Sequence, residues 1–558
     1  MTERPTVSAG SAKRSLTLVV VACATLVVGA ILVVRPASTW LRALSPDGAL
    51  EAETAAFLDG LSGLVLLLGL ITLAAGLSTS LREALAAGWR FPPPAARARS
   101  RWIAPAGGLL AFLVRIAVAS VSDIGMGDDG ARVVWLQHWL QDPKPILSGV
   151  WLPAHLYLHA LFNLFIRDPV WSGVVLSASA AGGTTWILTR AVEEVWGRRA
   201  AVVTAVTGSI LPISVAYGAN PDNNPVFAFL VVAATAAVLR AARSDSKRWL
   251  VVGWLLLSTA TWMRYDALPL VPVLGLLLWP RRLLSVLFVC ASLLPMAIWT
   301  VADSLITQTT GNVVGVILQD PSLKMSAAAR AFHALGAVWH GITLPILVLG
   351  VMGVVRSLRA RQGRAWMVLP LAHAAALAAA AVVVRAGTQP RYFILIGTVL
   401  GAYAGVAVAG VLERSRRVGF GVVALAAGLL ALTPGMFPDD DELWIRRNPE
   451  LRALADEVSL ASQGQDVVWI GRSAYYYCCR KRPPLERFHA ISRYDYDPTQ
   501  IIAGWRDAAS VVVVVEQTPA TMQQWEQFQQ RAQGWVAHPL GAQGGFDIYS
   551  LRRATLVD

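Results

Sequence analysis

Apolar runs about twenty residues long recur along most of this chain, and they constrain its fold more than any other feature. A helix needs about 20 apolar residues to cross the hydrocarbon core of a bilayer. Candidate spans lie at approximately 15–34, 59–79, 102–120, 168–189, 200–218, 224–241, 249–263, 266–280, 283–304, 335–355, 365–384, 392–411 and 418–434. Of the 558 residues, 55% are hydrophobic and only 15% are charged, with a mean hydropathy of +0.53. These values exclude an ordinary water-soluble protein and predict an α-helical multi-spanning membrane protein of about thirteen transmembrane helices. The first run is longer than a signal-peptide core and reads as an uncleaved span.

The net charge is +13. The basic residues fall in short loops between apolar runs, so they report topology rather than nucleic-acid binding. With the N-terminus in the cytoplasm, alternate loops are basic: Arg82 to Arg101, Arg190 to Arg199, Arg240 to Arg248, Arg281 and Arg282, Arg356 to Arg364, and Arg414 to Arg417. The same parity puts five segments outside. They are the Asp123–Asp129 loop, the 220–225 turn, Arg264-Tyr265-Asp266, the 305–333 loop and Gln389-Pro390-Arg391-Tyr392. Polar groups that break the apolar pattern thus converge on one face of an integral, multi-pass protein, read as lying in the plasma membrane.

Three regions follow. Residues 1–101 hold a cytoplasmic tail and two spans; residues 102–434 form the main membrane region, with a first external loop at 121–167. Within that loop, Ala131 to Leu140 and Leu152 to Ile166 read as helices lying along the outer membrane surface. Residues 435–558 are more polar and read as a small extracytoplasmic α/β domain. Its expected strands are Val467–Gly471, Ser510–Glu516 and Phe546–Leu551, and its expected helix is Met522–Ala532. Of four cysteines, Cys23 and Cys290 sit in apolar runs and Cys478 and Cys479 are adjacent, so no disulfide framework is expected.

The external loop carries the first chemical candidates. Asp128 and Asp129 follow an apolar run directly, and carboxylates at the mouth of a membrane helix are costly to hold near lipid. Such a carboxylate can deprotonate an acceptor hydroxyl. Two together can hold a divalent cation, and either can cap the helix that follows. The spacing leaves capping and catalysis open, and it leaves metal dependence open too. Arg264 and Arg391 each end a span on the outer side and each precede a tyrosine, Tyr265 or Tyr392. Arginine suits a phosphate through paired hydrogen bonds. Arg115, a few residues below the acidic loop, can snorkel to the same level; pairing with Asp266 or Asp123 explains these arginines equally well.

Asp222, Asn223 and Asn224 lie between two prolines, where they can bind a sugar or close a tight turn, and the turn is sufficient alone. His155 and His159 are i, i+4 neighbours but lack the glutamate of an HExxH motif. Trp151, Tyr157 and Tyr475-Tyr476-Tyr477 are aromatic candidates for a substrate cleft, with interfacial anchoring or strand packing as the plainer explanations.

The ordered set resembles the GT-C superfamily of integral-membrane glycosyltransferases. The set comprises the Arg115 span, Gly127-Asp128-Asp129-Gly130, Gly149-Val150-Trp151-Leu152-Pro153, Pro221-Asp222-Asn223-Asn224-Pro225, Arg264-Tyr265-Asp266 and Gln389-Pro390-Arg391-Tyr392-Phe393. It is most similar to the branch with protein O-mannosyltransferases and the lipid A aminoarabinose transferase. The resemblance covers roughly residues 102–411. It implies a polyprenyl-phosphate-linked sugar donor and a catalytic base in the first external loop, carried to Asp128 first and Asp129 second. It also implies donor-phosphate contacts from Arg264, Arg391 and Arg115. Substrate contacts are expected from Asp123, Trp151, His155, Asp222, Asn223, Asn224, Tyr265, Asp266 and Tyr392. The family usually has Asp-Glu where this chain has Asp128-Asp129. Val150, Trp151 or Leu152 stand where some relatives carry an acidic residue and a lysine.

The expected reaction is an inverting displacement onto a glycan, lipid or protein hydroxyl. A polymerase or ligase of lipid-linked oligosaccharides, a lipid-linked glycan transporter and a receptor are the alternatives. A transporter should carry paired broken helices near mid-membrane, and a receptor would make the acidic loop dispensable.

Overall fold

The computed structural model describes residues 100–123, 128–145, 152–244, 246–278, 281–307, 342–360, 363–379, 389–415, 449–462, 465–471, 474–481, 488–491, 510–543 and 545–553. The expected spans at 15–34, 59–79 and 418–434, the 308–333 stretch of the external loop, and Trp151 lie outside these residues.

The described chain begins with α1 (Ile103–Val121), α2 (Asp128–Gln141), α3 (Ala154–Ile166), α4 (Pro169–Trp196), α5 (Arg198–Ile210) and α6 (Pro212–Gly218). It continues through α7 (Asn223–Ser244), α8 (Lys247–Thr261), α9 (Leu270–Leu276), α10 (Arg282–Thr307), α11 (Leu344–Ala360), α12 (Val368–Ala379) and α13 (Ile394–Arg414). Most of the expected spans in the described region coincide with helix, but 266–280 holds only a 3-10 turn and the seven-residue α9, and residues 335–341 and 380–384 of two others lie outside the described residues. Four helical segments are long and apolar enough to cross a membrane: α1, α7, α10 over Arg282–Ala302, and α13 extended back to Pro390. The bent pair α5–α6 is a fifth if it is one span. The chain is therefore an integral membrane protein, while a count of thirteen spans is not established by these helices.

Position in the bundle follows from sidedness. Helices α7 and α13 are apolar all round and buried on most of their surface, which makes them the centre. Helices α1 and α10 leave Leu109, Leu113, Leu287 and Ile298 exposed, the pattern of lipid-facing surface. Lipid supplies no hydrophobic drive between helices, so close packing depends on small residues. At the α1–α4 crossing, a Cβ on Gly182 would come 2.8 Å from the Gly108 carbonyl oxygen. At the α11–α13 crossing, a Cβ on Gly353 would run into the Tyr403 backbone.

Helix α3 has 13 residues, about 20 Å of rise, too short to span. Helices α5 and α6 meet at a 52° bend. Pro212 opens α6 and has no N–H to return to the carbonyl one turn back, so the helix breaks there.

The C-terminal region supplies α14 (Pro449–Ser462), β1 (Asp466–Ile470), α15 (Ala474–Lys481), β2 (Phe488–Ile491), β3 (Ser510–Glu516), α16 (Pro519–Arg531), β4 (Trp535–Gln543) and β5 (Phe546–Arg553). The sheet order is β2-β1-β3-β5-β4, with β2, β1 and β3 parallel and β5 and β4 antiparallel. Strands β1 and β3 are apolar at nearly every position because both faces are covered. Val467 and Trp469 face one core with α14 and α15; Val468 and Ile470 face the other with α16. The expected strand packing of Tyr475-Tyr476-Tyr477 is corrected: these residues lie on α15, with Tyr476 and Tyr477 buried. Ala131 and Val134 of α2 belong to the same core as β1 and α14. The sheet domain therefore sits on the helix that carries the acidic pair.

Candidate active site

Four chain segments bring polar groups together: the first turn of α2, the turn before α7, the turn Arg264–Asp266, and the 3-10 turn Pro390–Phe393. Asp128 and Asp129 occupy the first turn of α2, where the helix dipole favours carboxylates. Both are helical residues of that turn rather than its N-cap. Asp128 Oδ2 lies 2.8 Å from Arg391 Nη2. Burial alone would raise the Asp128 pKa; Arg391 and then Arg132 outweigh it and hold the carboxyl below its ordinary value. Asp129 is more deeply buried.

Arg264 is the second cation. Its Nε donates to Asp266 Oδ1 at 2.8 Å and its Nη1 to Asn224 Oδ1. The guanidinium lies 5.1 Å from the Tyr392 ring centroid and 5.4 Å from that of Phe227. The other oxygen of Asp266 is 3.1 Å from His373 Nε2. Arg264 and Arg391 both contact the Tyr392 ring, so the two Arg-Tyr turns meet.

The turn before α7 closes on itself. Asp222 Oδ1 accepts from the backbone N–H and side-chain amide of Asn224, both at 2.6 Å. Ser177 Oγ donates to the Asp222 carbonyl at 2.9 Å. Asp222 Oδ2 is buried with no hydrogen-bond partner among the described residues. Arg132, one turn along α2, is buried as well. Burial lowers its pKa, and Asp222, Asp128 and Asp129 oppose the change in that order. Arg132 therefore links the acidic pair to the Asp222 turn. His155 is buried in the same neighbourhood. Desolvation first, then Arg132 and His159, hold its pKa well below the ordinary histidine value, so the imidazole is neutral. His159 places Nε2 2.7 Å from the Pro169 carbonyl oxygen.

Two expectations change. Arg115 is fully buried, and all five of its N–H groups point at protein oxygens. Nε donates to Ser214 O, Nη1 to Ala111 O and Ser209 O, and Nη2 to Gly208 O and Ser214 Oγ. No donor remains for a phosphate, so Arg115 satisfies the broken α5–α6 helix instead. Asp123 is drawn to the sheet domain. Arg452 of α14 holds it with Nε 3.0 Å from each carboxylate oxygen and Nη2 2.7 Å from Oδ1. Tyr265 packs with Leu152, Met296 and Trp299.

Sequence reasoning missed Arg132, His373 and Arg452. Arg132 was legible in principle, since it lies i+4 from Asp128 on a helix that starts there. Arg452 carried no signal, being 329 residues from Asp123. Among the described residues, no group of three or more His, Cys, Asp or Glu side chains is placed to hold a metal ion.

Residues 144–306 match the family described as dolichyl-phosphate-mannose-protein mannosyltransferase. The protein named "Putative mannosyltransferase YycA", from Bacillus subtilis (strain 168), is 25% identical over 119 residues, 21% of this chain and 17% of that protein's length. The crystal structure of ArnT from Cupriavidus metallidurans in the apo state superposes with a TM-score of 0.58 at 14% identity, covering 80% of this chain and 97% of ArnT. ArnT bound to undecaprenyl phosphate matches with the same score and coverage at 13% identity. The chain therefore shares the fold of ArnT over most of its length, and residues 144–306 are similar to the mannosyltransferase family.

Proposed function

We propose that this chain is a membrane glycosyltransferase. It moves a sugar from a polyprenyl-phosphate donor to a hydroxyl on the outer side of the membrane, by a single displacement with inversion. The observation that carries this reading is the Asp128–Arg391 pair, 2.8 Å apart and beside Arg132 and Arg264. A carboxylate beside guanidiniums supports a proton acceptor next to a phosphodiester. Support comes from the fold shared with a protein solved with undecaprenyl phosphate.

Asp128 and Arg391 form a closed charge pair. An arriving donor phosphate competes for Arg391 and releases Asp128. Burial then dominates the freed carboxylate and raises its basicity. The acceptor O–H gives its proton to Asp128 while its oxygen bonds to the anomeric carbon. The bond from that carbon to the phosphate oxygen breaks with its electron pair, and polyprenyl phosphate leaves carrying one more negative charge. Arg391, Arg264 and Arg132 stabilise that charge in a site shielded from water. Asp222, Asn224 and His155 line the same cluster and contact the sugar or acceptor. The distribution of basic loops supports a cluster on the outer side and an N-terminus on the inner side.

The test uses the purified full chain with radiolabelled polyprenyl-phosphate mannose and, separately, a polyprenyl-phosphate pentose. Release of polyprenyl phosphate in the presence of envelope glycan, lipid or protein fractions is followed. Mannose is tried first because both the matching family description and YycA's name specify mannosyl transfer. Failure to bind or turn over any such donor overturns the reading. If Asp128→Asn and Asp129→Asn both keep full transfer at normal expression, the base lies elsewhere.

A further inference from the structure

A cavity of about 890 Å³ lies between α1, α4, α7 and α8, away from the acid–arginine cluster. Helix α7 shows the separation. Asn223 and Asn224 start it at the site, and Arg240 lines the cavity 16 to 17 residues later, about 25 Å along the axis. The cavity is thus on the side of the basic loops.

Its walls divide by chemistry. Trp186, Ile187, Phe229, Ala233 and Val252 make an apolar wall. Trp186 is 52% exposed and Val252 38%, so the wall opens sideways to the lipid. The rim carries Arg101, Arg190, Arg240 and Arg243. Arg190 is committed, with Nη1 2.9 Å from Glu193 and Nε 3.4 Å from Glu194. Arg240 stacks 4.7 Å over the Trp249 ring, which holds its guanidinium at the mouth. Glu194 acts on Arg243 as well as on Arg190, and among the described residues of this rim four guanidiniums stand against two carboxylates, a surplus of two positive charges.

An apolar slot open to the bilayer, beneath a cationic rim at headgroup depth, matches one kind of occupant. We infer that this groove binds an anionic phospholipid of the leaflet facing the basic loops. Its phosphate is held by Arg240 and Arg243, and an acyl chain lies along Trp186 and Phe229. Guanidinium suits a phosphodiester, and basic pockets between spans on this side of membrane proteins attract anionic headgroups. A free phosphate ion has no use for the apolar wall. A zwitterionic lipid adds an ammonium that the surplus positive charge repels.

The experiment uses the full-length chain in detergent, incubated with equimolar phosphatidylglycerol and phosphatidylcholine and read by native mass spectrometry. Wild type is expected to retain phosphatidylglycerol at least tenfold over phosphatidylcholine. The Arg240→Gln/Arg243→Gln double variant should lose that preference, and Arg240→Lys/Arg243→Lys should keep most of it. Equal retention of both lipids by wild type, or an undiminished preference in the Gln double variant, overturns the inference. A second arm replaces Trp186 with photoreactive benzoylphenylalanine. Cross-linking to phosphatidylglycerol supports the lipid, even should the Gln variant fold poorly. Cross-linking to peptides from residues 1–99 overturns it by making this chain's own N-terminal region the occupant.

Discussion

Arg115 donates to the Gly208 carbonyl oxygen at 3.2 Å, the acceptor left free because Pro212 has no N–H. One guanidinium thereby repairs a helix break inside the bundle. Leaving several buried carbonyls unpaired costs about 1–3 kcal/mol each. Arg115→Met should therefore destabilise the protein by about 3 kcal/mol or more. Pro212→Ala restores an N–H for Gly208, so the double variant should lose about 1 kcal/mol less than the sum of the singles. Thermal loss of the monodisperse peak on size exclusion measures this. Strict additivity would mean that Arg115 does not serve the break.

Arg391→Gln should change both donor use and pH response. Without the guanidinium, the largest influence opposing the burial of Asp128 is gone, and only Arg132 and Arg264 still lower its pKa. Its carboxyl should then titrate higher, and the acid limb of the kcat/KM profile should move toward neutral pH. The KM for the polyprenyl-phosphate sugar should rise about tenfold or more, as for loss of one charge-assisted hydrogen bond. An unmoved acid limb would separate Asp128 from the chemistry.

Asp128→Asn should reduce transfer by about 10²–10⁴-fold, the usual range for a general base. Donor binding should survive, because Asn cannot compete with the phosphate for Arg391 as an ion. Single-turnover release of polyprenyl phosphate, beside equilibrium binding of the donor, distinguishes the two effects.

Acid should destabilise the fold in two windows. His159 is buried, which pushes its pKa down to about 4. A depressed pKa means that its contribution is complete above the unfolded value of about 6.5 and is lost as pH falls toward 4. Asp128 is also depressed, so its contribution is present above the unfolded carboxylate value of about 3.9 and is lost below it. His159→Gln should make the stability curve shallower between about pH 6.5 and 4, with the remaining slope coming from His155, and should leave the lower window unchanged. Thermal unfolding across pH 7 to 3 checks the sign.

The Arg452–Asp123 bond ties the sheet domain to the loop ahead of α2. The Arg452 side chain is 38% exposed, so solvent screening limits the stability lost in Arg452→Ala to about 1 kcal/mol. Transfer activity should fall by more than that loss explains, because Asp128 rides on the helix the domain covers. A double-mutant cycle with Asp123→Asn should show strong coupling in kcat.

Much of the membrane region was legible because its signals are local. An apolar run of span length, a basic loop and an acidic first turn each depend on residues within a few turns of one another. That is why the helices at Ile103–Val121 and Asn223–Ser244 appear close to where their apolar runs lie. Strand β3 was legible for the same reason, as its continuous valine run belongs to a strand covered on both faces. Helix α15 was misread because Tyr475-Tyr476-Tyr477 favours strands intrinsically, whereas packing against Trp469 and Phe488 decides the matter.

By itself the sequence determined a membrane-spanning helical protein with an acidic loop and two Arg-Tyr turns on one face. It could not say which acid meets which arginine. Only the tertiary structure decided that Asp128 pairs with Arg391, that Arg264 takes Asp266 and Asn224, and that Arg452 takes Asp123. The same packing removed Arg115 from the site by using all its donors. The reason is physical: helix formation and membrane insertion are set by near neighbours, but an ion pair is chosen by how the helices pack. In a low-dielectric interior each buried charge takes the partner that packing brings within reach.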